Sequence, residues 1–162
     1  MRRARFLIVF FVLLALFETP LLLPAVDAAV VQPLTTGIAA VSGRLLHLLG
    51  EDVTTRGMSI SGPCFAVEIK NGCNALEATL FLVAAILAFP GPWKEKLAAV
   101  GIGIVLLQIL NLARVVSLYW IGCHHPAAFE TFHTVIWQTI IFGATIGFFM
   151  LWSRRAGTPR AA

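Results

Sequence analysis

Four long apolar stretches, Phe6 to Val26, Ala75 to Phe89, Leu97 to Ile121 and His133 to Trp152, decide what this chain can fold into. At 1.5 Å of rise per helical residue they extend roughly 22 to 37 Å, against a bilayer core of about 30 Å. A chain that is 59% hydrophobic and 12% charged would expose these runs to water as a soluble globule, so lipid is its solvent. The second stretch is short, and has to sit beside thinned lipid or borrow its flanks. The expected fold is an all-α polytopic membrane protein forming a single membrane domain over residues 1–162.

The basic residues give the direction of the spans. Arg2, Arg3 and Arg5 precede the first, Lys94 and Lys96 lie between the second and third, and Arg154, Arg155 and Arg160 follow the fourth. With four spans these eight of the twelve Lys and Arg fall on one side, which the positive-inside rule makes the cytoplasm. Both termini are then cytoplasmic, and Asp27 to Asn74 and Gly122 to Phe132 face outside. The net charge of +4 does not point to nucleic acid, because the cations flank apolar runs instead of forming a stripe with interleaved aromatics.

Residues 28–50 are apolar enough to pass for a fifth span, but that count would send Lys94, Lys96 and the Arg154/Arg155 pair outside. Ile38, Val41, Leu45 and Leu48 share one helical side, and Thr36, Ala40, Arg44 and His47 share another. The expectation is an amphipathic helix lying on the outer surface, with a tilted or re-entrant hairpin as the alternative. Met1 to Arg5, Phe6 to Phe17 and Val26-Asp27-Ala28 together resemble a signal peptide. The segment is read as a retained anchor, and cleavage would leave the rest of the topology unchanged. Between residues 51 and 72, alternation of Phe65, Val67 and Ile69 with Ala66, Glu68 and Lys70 predicts a small outside β-hairpin. Residues 153–162 read as a solvated cytoplasmic tail.

Three residues at the predicted outer face could do chemistry. Arg114 lies inside the third span, where a charge costs at least about 2 kcal/mol unless it is paired or reaches water. Gln108, Asn111, Arg114 and Ser117 recur at i, i+3 and form a polar stripe that needs other helices or a cavity. Cys73 follows a turn at the start of the second span, where helix N–H groups favour a thiolate. His133 opens the fourth span, and the unperturbed pKa of an imidazole lies near neutrality, which suits a general acid and base. Each has an ordinary reading too: a snorkelling arginine, a small buried thiol, an interfacial imidazole.

Taken together, the segments Asn71-Gly72-Cys73-Asn74-Ala75-Leu76-Glu77, Asn111-Leu112-Ala113-Arg114-Val115 and Phe132-His133 resemble the exosortase/archaeosortase family, most closely its short exosortase H group. The family consists of polytopic membrane cysteine enzymes. The resemblance implies that Cys73 is the nucleophile, Arg114 the family arginine and His133 the acid/base. It further implies cleavage and transfer of membrane-anchored proteins that carry a C-terminal signal of motif, transmembrane helix and basic tail, at the plasma (inner) membrane and without a cofactor. The family often has glycine two places after the cysteine, where this chain has Ala75.

Asn74, Glu77 and Asn111 are candidates for supporting the site, and Glu77 has an equal reading as a carboxylate paired with Arg114. Cys123-His124-His125 is a poor metal motif, since adjacent histidines do not readily share one ion. Whether Cys64 and Cys123 pair is open. So are two other functions: a thiol-disulfide oxidoreductase cycling Cys73 with Cys64 or Cys123, and a non-enzymatic subunit whose Arg114 pairs with a partner helix.

Overall fold

A computed structural model describes residues 2–156; Arg160 and the remainder of the predicted tail lie outside the described residues. The elements run α1 (Arg2–Glu18), α2 (Pro24–Leu48), β1 (Thr54–Arg56), β2 (Ser59–Ser61), β3 (Ala66–Glu68), α3 (Leu76–Ala88), α4 (Trp93–His124) and α5 (Pro126–Ala156). The protein is mainly helical, and the multi-pass membrane character follows from its apolar helices. Ala4–Leu22, α2, α4 and α5 are each long and apolar enough to cross a bilayer, while α3 has only thirteen residues, about 20 Å.

Packing, however, puts the short α3 at the centre. It lies against α1, α4 and α5. Phe10 of α1 buries against Ala84 and Ala85 of α3, whose small side chains let the helices approach closely. Ala78, Leu82 and Ile86 of α3 meet Ala99 and Leu107 of α4 and Ile141 of α5. Pro90 and Pro92 stop α3 and open α4, since neither offers an N–H to a helix interior. The Lys96 ammonium turns back, donates to the Leu87 carbonyl at 2.8 Å and so closes the end of α3. Phe11, Leu16, Ile102, Val105, Ile109, Ile146 and Leu151 remain exposed on the outer faces, as lipid-facing residues must.

A second core forms at the other end of the bundle, where α2 and the sheet close over the C-terminal half of α4. Ile38, Ala39 and Leu46 of α2 pack with Val53, Ile60, Val67, Ile69, Val115 and Tyr119. α2 packs on the rest of the protein through a face rich in small residues. Thr35, Ile38, Ala39, Ser42, Gly43 and Leu46 are buried, while Val41 and Leu48 are exposed. Small residues suit this face because the β1 side chains come close: a Cβ on Gly43 would strike the Thr55 hydroxyl.

Residues 51–72 hold three antiparallel strands in the order β1-β2-β3, one more than the expected hairpin. Ile60 pairs with Thr55 on one side and Val67 on the other. The β1–β2 connection is a two-residue loop with Gly57 at φ +57°, the left-handed conformation that such a hairpin needs at its first position. Val67 and Ile69 point into the core, and Ala66, Glu68 and Lys70 point out.

Candidate functional site

The chain leaves β3 and makes a tight turn before entering α3. Cys73 N–H donates to the Lys70 carbonyl at 2.9 Å, and Gly72 between them sits at φ +84°. That positive φ at the third turn position is where a β-carbon would be strained, and Asn-Gly supplies the residue without one. Asn71 is held from outside, its amide donating at 2.8 Å to Asp27 at the start of α2, which also accepts from Gln32.

Asn74 is fully buried and ties three elements together. Its carbonyl oxygen accepts from Leu76 N–H at the head of α3, its amide donates to Thr35 of α2, and its backbone carbonyl accepts from Gln108 of α4. Ala75 then adopts φ +57°, a left-handed conformation, at the position where the family pattern has glycine.

These constraints aim the Cys73 sulfur at two groups from distant parts of the chain. His133 Nε2 lies 3.1 Å away, and Arg114 Nη2 points to the sulfur at 3.6 Å. The same Nη2 donates to the His133 carbonyl at 3.2 Å, so one guanidinium arm spans both partners. His133 falls in a π-helical turn, Phe132–Ile136, where Trp137 N–H reaches back to the Phe132 carbonyl. Such turns widen the helix and redirect its side chains. The imidazole stacks on Phe129, with ring centroids 5.6 Å apart, and Phe129 in turn meets Phe65 at 5.0 Å. Neither phenylalanine carries a signal in the sequence that would have marked it.

Arg114 is 3% exposed, and its Nε has no hydrogen-bond partner among the described residues. Its guanidinium borders two cavities. One, about 270 Å³, opens along β3 and contains Cys73, His133, Phe65 and Phe129. The other, about 220 Å³, lies between α3 and α5 and is lined by Gly72, Ala75, Glu77, Ala78 and Gln138. Glu77 shares this second cavity with Arg114, and no ion pair joins the two among the described residues. Asn111 is fully buried on α4, and neither its side-chain oxygen nor its side-chain nitrogen has a hydrogen-bond partner among the described residues.

The other two cysteines settle the open pairing. Cys64 and Cys123 form a disulfide across 59 residues, which ties the β2–β3 loop to the end of α4 and leaves Cys73 as the free thiol. His124 stacks on Trp120.

A sulfur within reach of an imidazole and a guanidinium, all bordering one cavity, is equipped for nucleophilic attack followed by proton transfer. Neither a curated protein nor a solved structure matches the chain. A family model described as transmembrane exosortase (Exosortase_EpsH) matches residues 1–152, and the chain belongs to that family.

Proposed function

We propose that this protein is a membrane cysteine protease or transpeptidase. It would act on membrane-anchored proteins bearing a C-terminal sorting signal of motif, transmembrane helix and basic tail, through a thioester on Cys73. The observation that carries this reading is the pair of contacts on the Cys73 sulfur, 3.1 Å to His133 Nε2 and 3.6 Å to Arg114 Nη2.

The chemistry follows from those contacts. A neighbouring cation and an imidazole that takes the thiol proton both favour the thiolate. The thiolate attacks a peptide carbonyl, and the C–N bond breaks as His133 gives its proton to the leaving amine. An incoming amine or water then attacks the thioester, loses its proton to His133 and releases Cys73. Cys73 N–H is spent on the Lys70 carbonyl, so the oxyanion needs another donor. The buried, unpartnered Arg114 Nε is suited to that task, while Nη2 holds the sulfur and the His133 carbonyl. Asn74 and the Asp27–Asn71 bond position the nucleophile without touching the reacting atoms, and Glu77 and Gln138 line the neighbouring cavity.

The active site belongs outside the cytoplasm of a plasma (inner) membrane in this reading, with residues 28–50 lying at the outer interface. Two observations support that orientation. The site is at the end of the bundle opposite Lys96 and Arg154, and the Cys64–Cys123 bond near it suits an oxidising compartment. Disulfide cycling by Cys73 is the weaker reading, because the groups that meet its sulfur are the His133 imidazole and the Arg114 guanidinium.

The decisive experiment quenches the wild-type protein with acid during turnover in its membrane and searches by mass spectrometry for a polypeptide joined to Cys73 through a hydroxylamine-sensitive bond. A thioester at Cys73, absent from Cys73→Ala, supports the proposal. Covalent attachment only through a dithiothreitol-sensitive bond would overturn it in favour of disulfide chemistry.

A further inference from the structure

The side of β3 that faces Cys73 has no partner strand among the described residues. In an antiparallel pair, alternate residues turn both backbone groups toward the neighbour and the residues between turn theirs away. Here Gly62 N–H donates to the Phe65 carbonyl and Ile69 N–H to the Met58 carbonyl, with Ile60 opposite Val67. Residues 65, 67 and 69 therefore spend their backbone groups on β2. Those of Ala66 and Glu68 point to the other side, where the sheet ends.

The same alternation points the Lys70 carbonyl to that free side, and the bond it accepts there comes from Cys73 N–H. The nucleophile is thus fixed on the open edge of β3, in line with the Ala66 and Glu68 groups. The 270 Å³ cavity occupies this position, with β3 as one wall and Cys73, Arg114, His133 and Phe129 as the others. A sheet edge left unpaired is a template for another extended chain.

We infer that the substrate binds by strand addition: an extended peptide segment pairs its backbone with Ala66 and Glu68 of β3, and this pairing delivers its carbonyl to Cys73. The inference rests on the thiol chemistry proposed above and adds how the substrate is held. Affinity then comes from the main chain, two residues of β3 offering an N–H and a C=O each. Side-chain preference arises only where alternate substrate residues meet Phe65 and Phe129. The peptide backbone, not a particular side chain, is the chemical feature recognised.

The test uses the full-length protein in detergent and two irreversible reagents, acetyl-alanyl and acetyl-tetraalanyl chloromethyl ketone. Both alkylate thiols, but only the longer one can span the free pairs on β3. Its second-order rate at Cys73 is expected to exceed that of the short reagent by roughly tenfold or more, given about a kcal/mol of net stabilisation per hydrogen bond. N-methylation of the longer reagent at alternate residues is expected to abolish the advantage in one register and spare it in the other, as only every second N–H faces β3. Glu68→Pro, which removes one edge N–H and leaves the bonds to β2 in place, is expected to bring the ratio of the two rates toward one. Equal rates for the two wild-type reactions, or an advantage insensitive to the register of methylation, would overturn strand addition. The thiol mechanism fails separately, if alkylation by the short reagent is the same in wild type, His133→Ala and Arg114→Ala; strand delivery to an activated thiol falls with it.

Discussion

Sixty residues separate Cys73 from His133, and their side chains meet at 3.1 Å. Neither residue lies in a regular stretch of α-helix: one follows a glycine turn, the other sits in a π-helical turn. The contact depends on both irregularities and on Arg114, which crosses from α4 to touch the sulfur and the His133 backbone together.

Arg114 makes both contacts through one nitrogen, Nη2, which the rigid guanidinium plane holds between the two acceptors. A lysine ammonium has enough N–H groups for both but ends a freely rotating stem, so it is not held in that place. Arg114→Lys is expected to slow alkylation of Cys73 by a membrane-impermeant maleimide several-fold at neutral pH, because the cation that favours the thiolate is no longer held against the sulfur. His133→Ala should act in the same direction. A rate equal to wild type in Arg114→Lys would show that charge alone, without geometry, activates the sulfur.

The disulfide is expected to separate stability from chemistry. Closing a loop of about 60 residues removes chain entropy worth roughly 4 kcal/mol from the unfolded state. Cys64→Ser and Cys123→Ser should lower the thermal midpoint, read by tryptophan fluorescence in detergent, while Cys73 keeps its reactivity below that midpoint. Loss of Cys73 alkylation in both variants at temperatures where they remain folded would instead tie the disulfide to the reaction.

Two backbone positions around the nucleophile should respond differently. Gly72 sits at φ +84°, so Gly72→Ala is expected to cost about 1 kcal/mol and to shift the sulfur from His133. Ala75 already bears that kind of strain at φ +57°. Ala75→Gly relieves about 1 to 2 kcal/mol of it, yet loses a buried methyl worth about 0.8 and adds a similar chain-entropy cost, so near-neutral stability is expected. Ala75→Val puts a β-branched residue in the left-handed region and should be the damaging change. Denaturation midpoints of the three variants, with alkylation rates beside them, check the order.

The membrane class, and the three side chains that the fold brings together at Cys73, were legible in the sequence for one reason: polar groups are conspicuous in an apolar chain. Arg114 within a span and Cys73 after Asn-Gly stand out because lipid makes them costly or exposed. The packed side of α2 was not legible, since it is chosen by what it meets. Val41 and Leu48 are exposed, while Gly43 lies against Thr55 of β1, where a Cβ would not fit. The third strand escaped because runs of three residues carry too little alternation. Cys64 and Cys123 needed coordinates before they could be paired. Asn74 was expected near the site, but its three bonds to α2, α3 and α4 depend on a fold that local spacing does not encode.

A contact chain from the end of α4 to the imidazole supplies the last prediction. A β-carbon on Gly122 would enter the Phe65 ring. Phe65 packs against Phe129, and Phe129 stacks on His133. Gly122→Ala is thus expected to push this aromatic row toward His133, at an overpacking cost of about 1 to 3 kcal/mol, and to slow Cys73 alkylation although no reacting group has changed. Phe65→Leu in the same chain removes the ring that the new methyl meets, and should recover most of the lost rate. A double variant no faster than Gly122→Ala alone would show that the displacement travels another way, through the neighbouring Cys123 and its bond to Cys64. Comparing alkylation rates of the two single variants and the double variant, with thermal midpoints to confirm that each is folded, decides between the two routes.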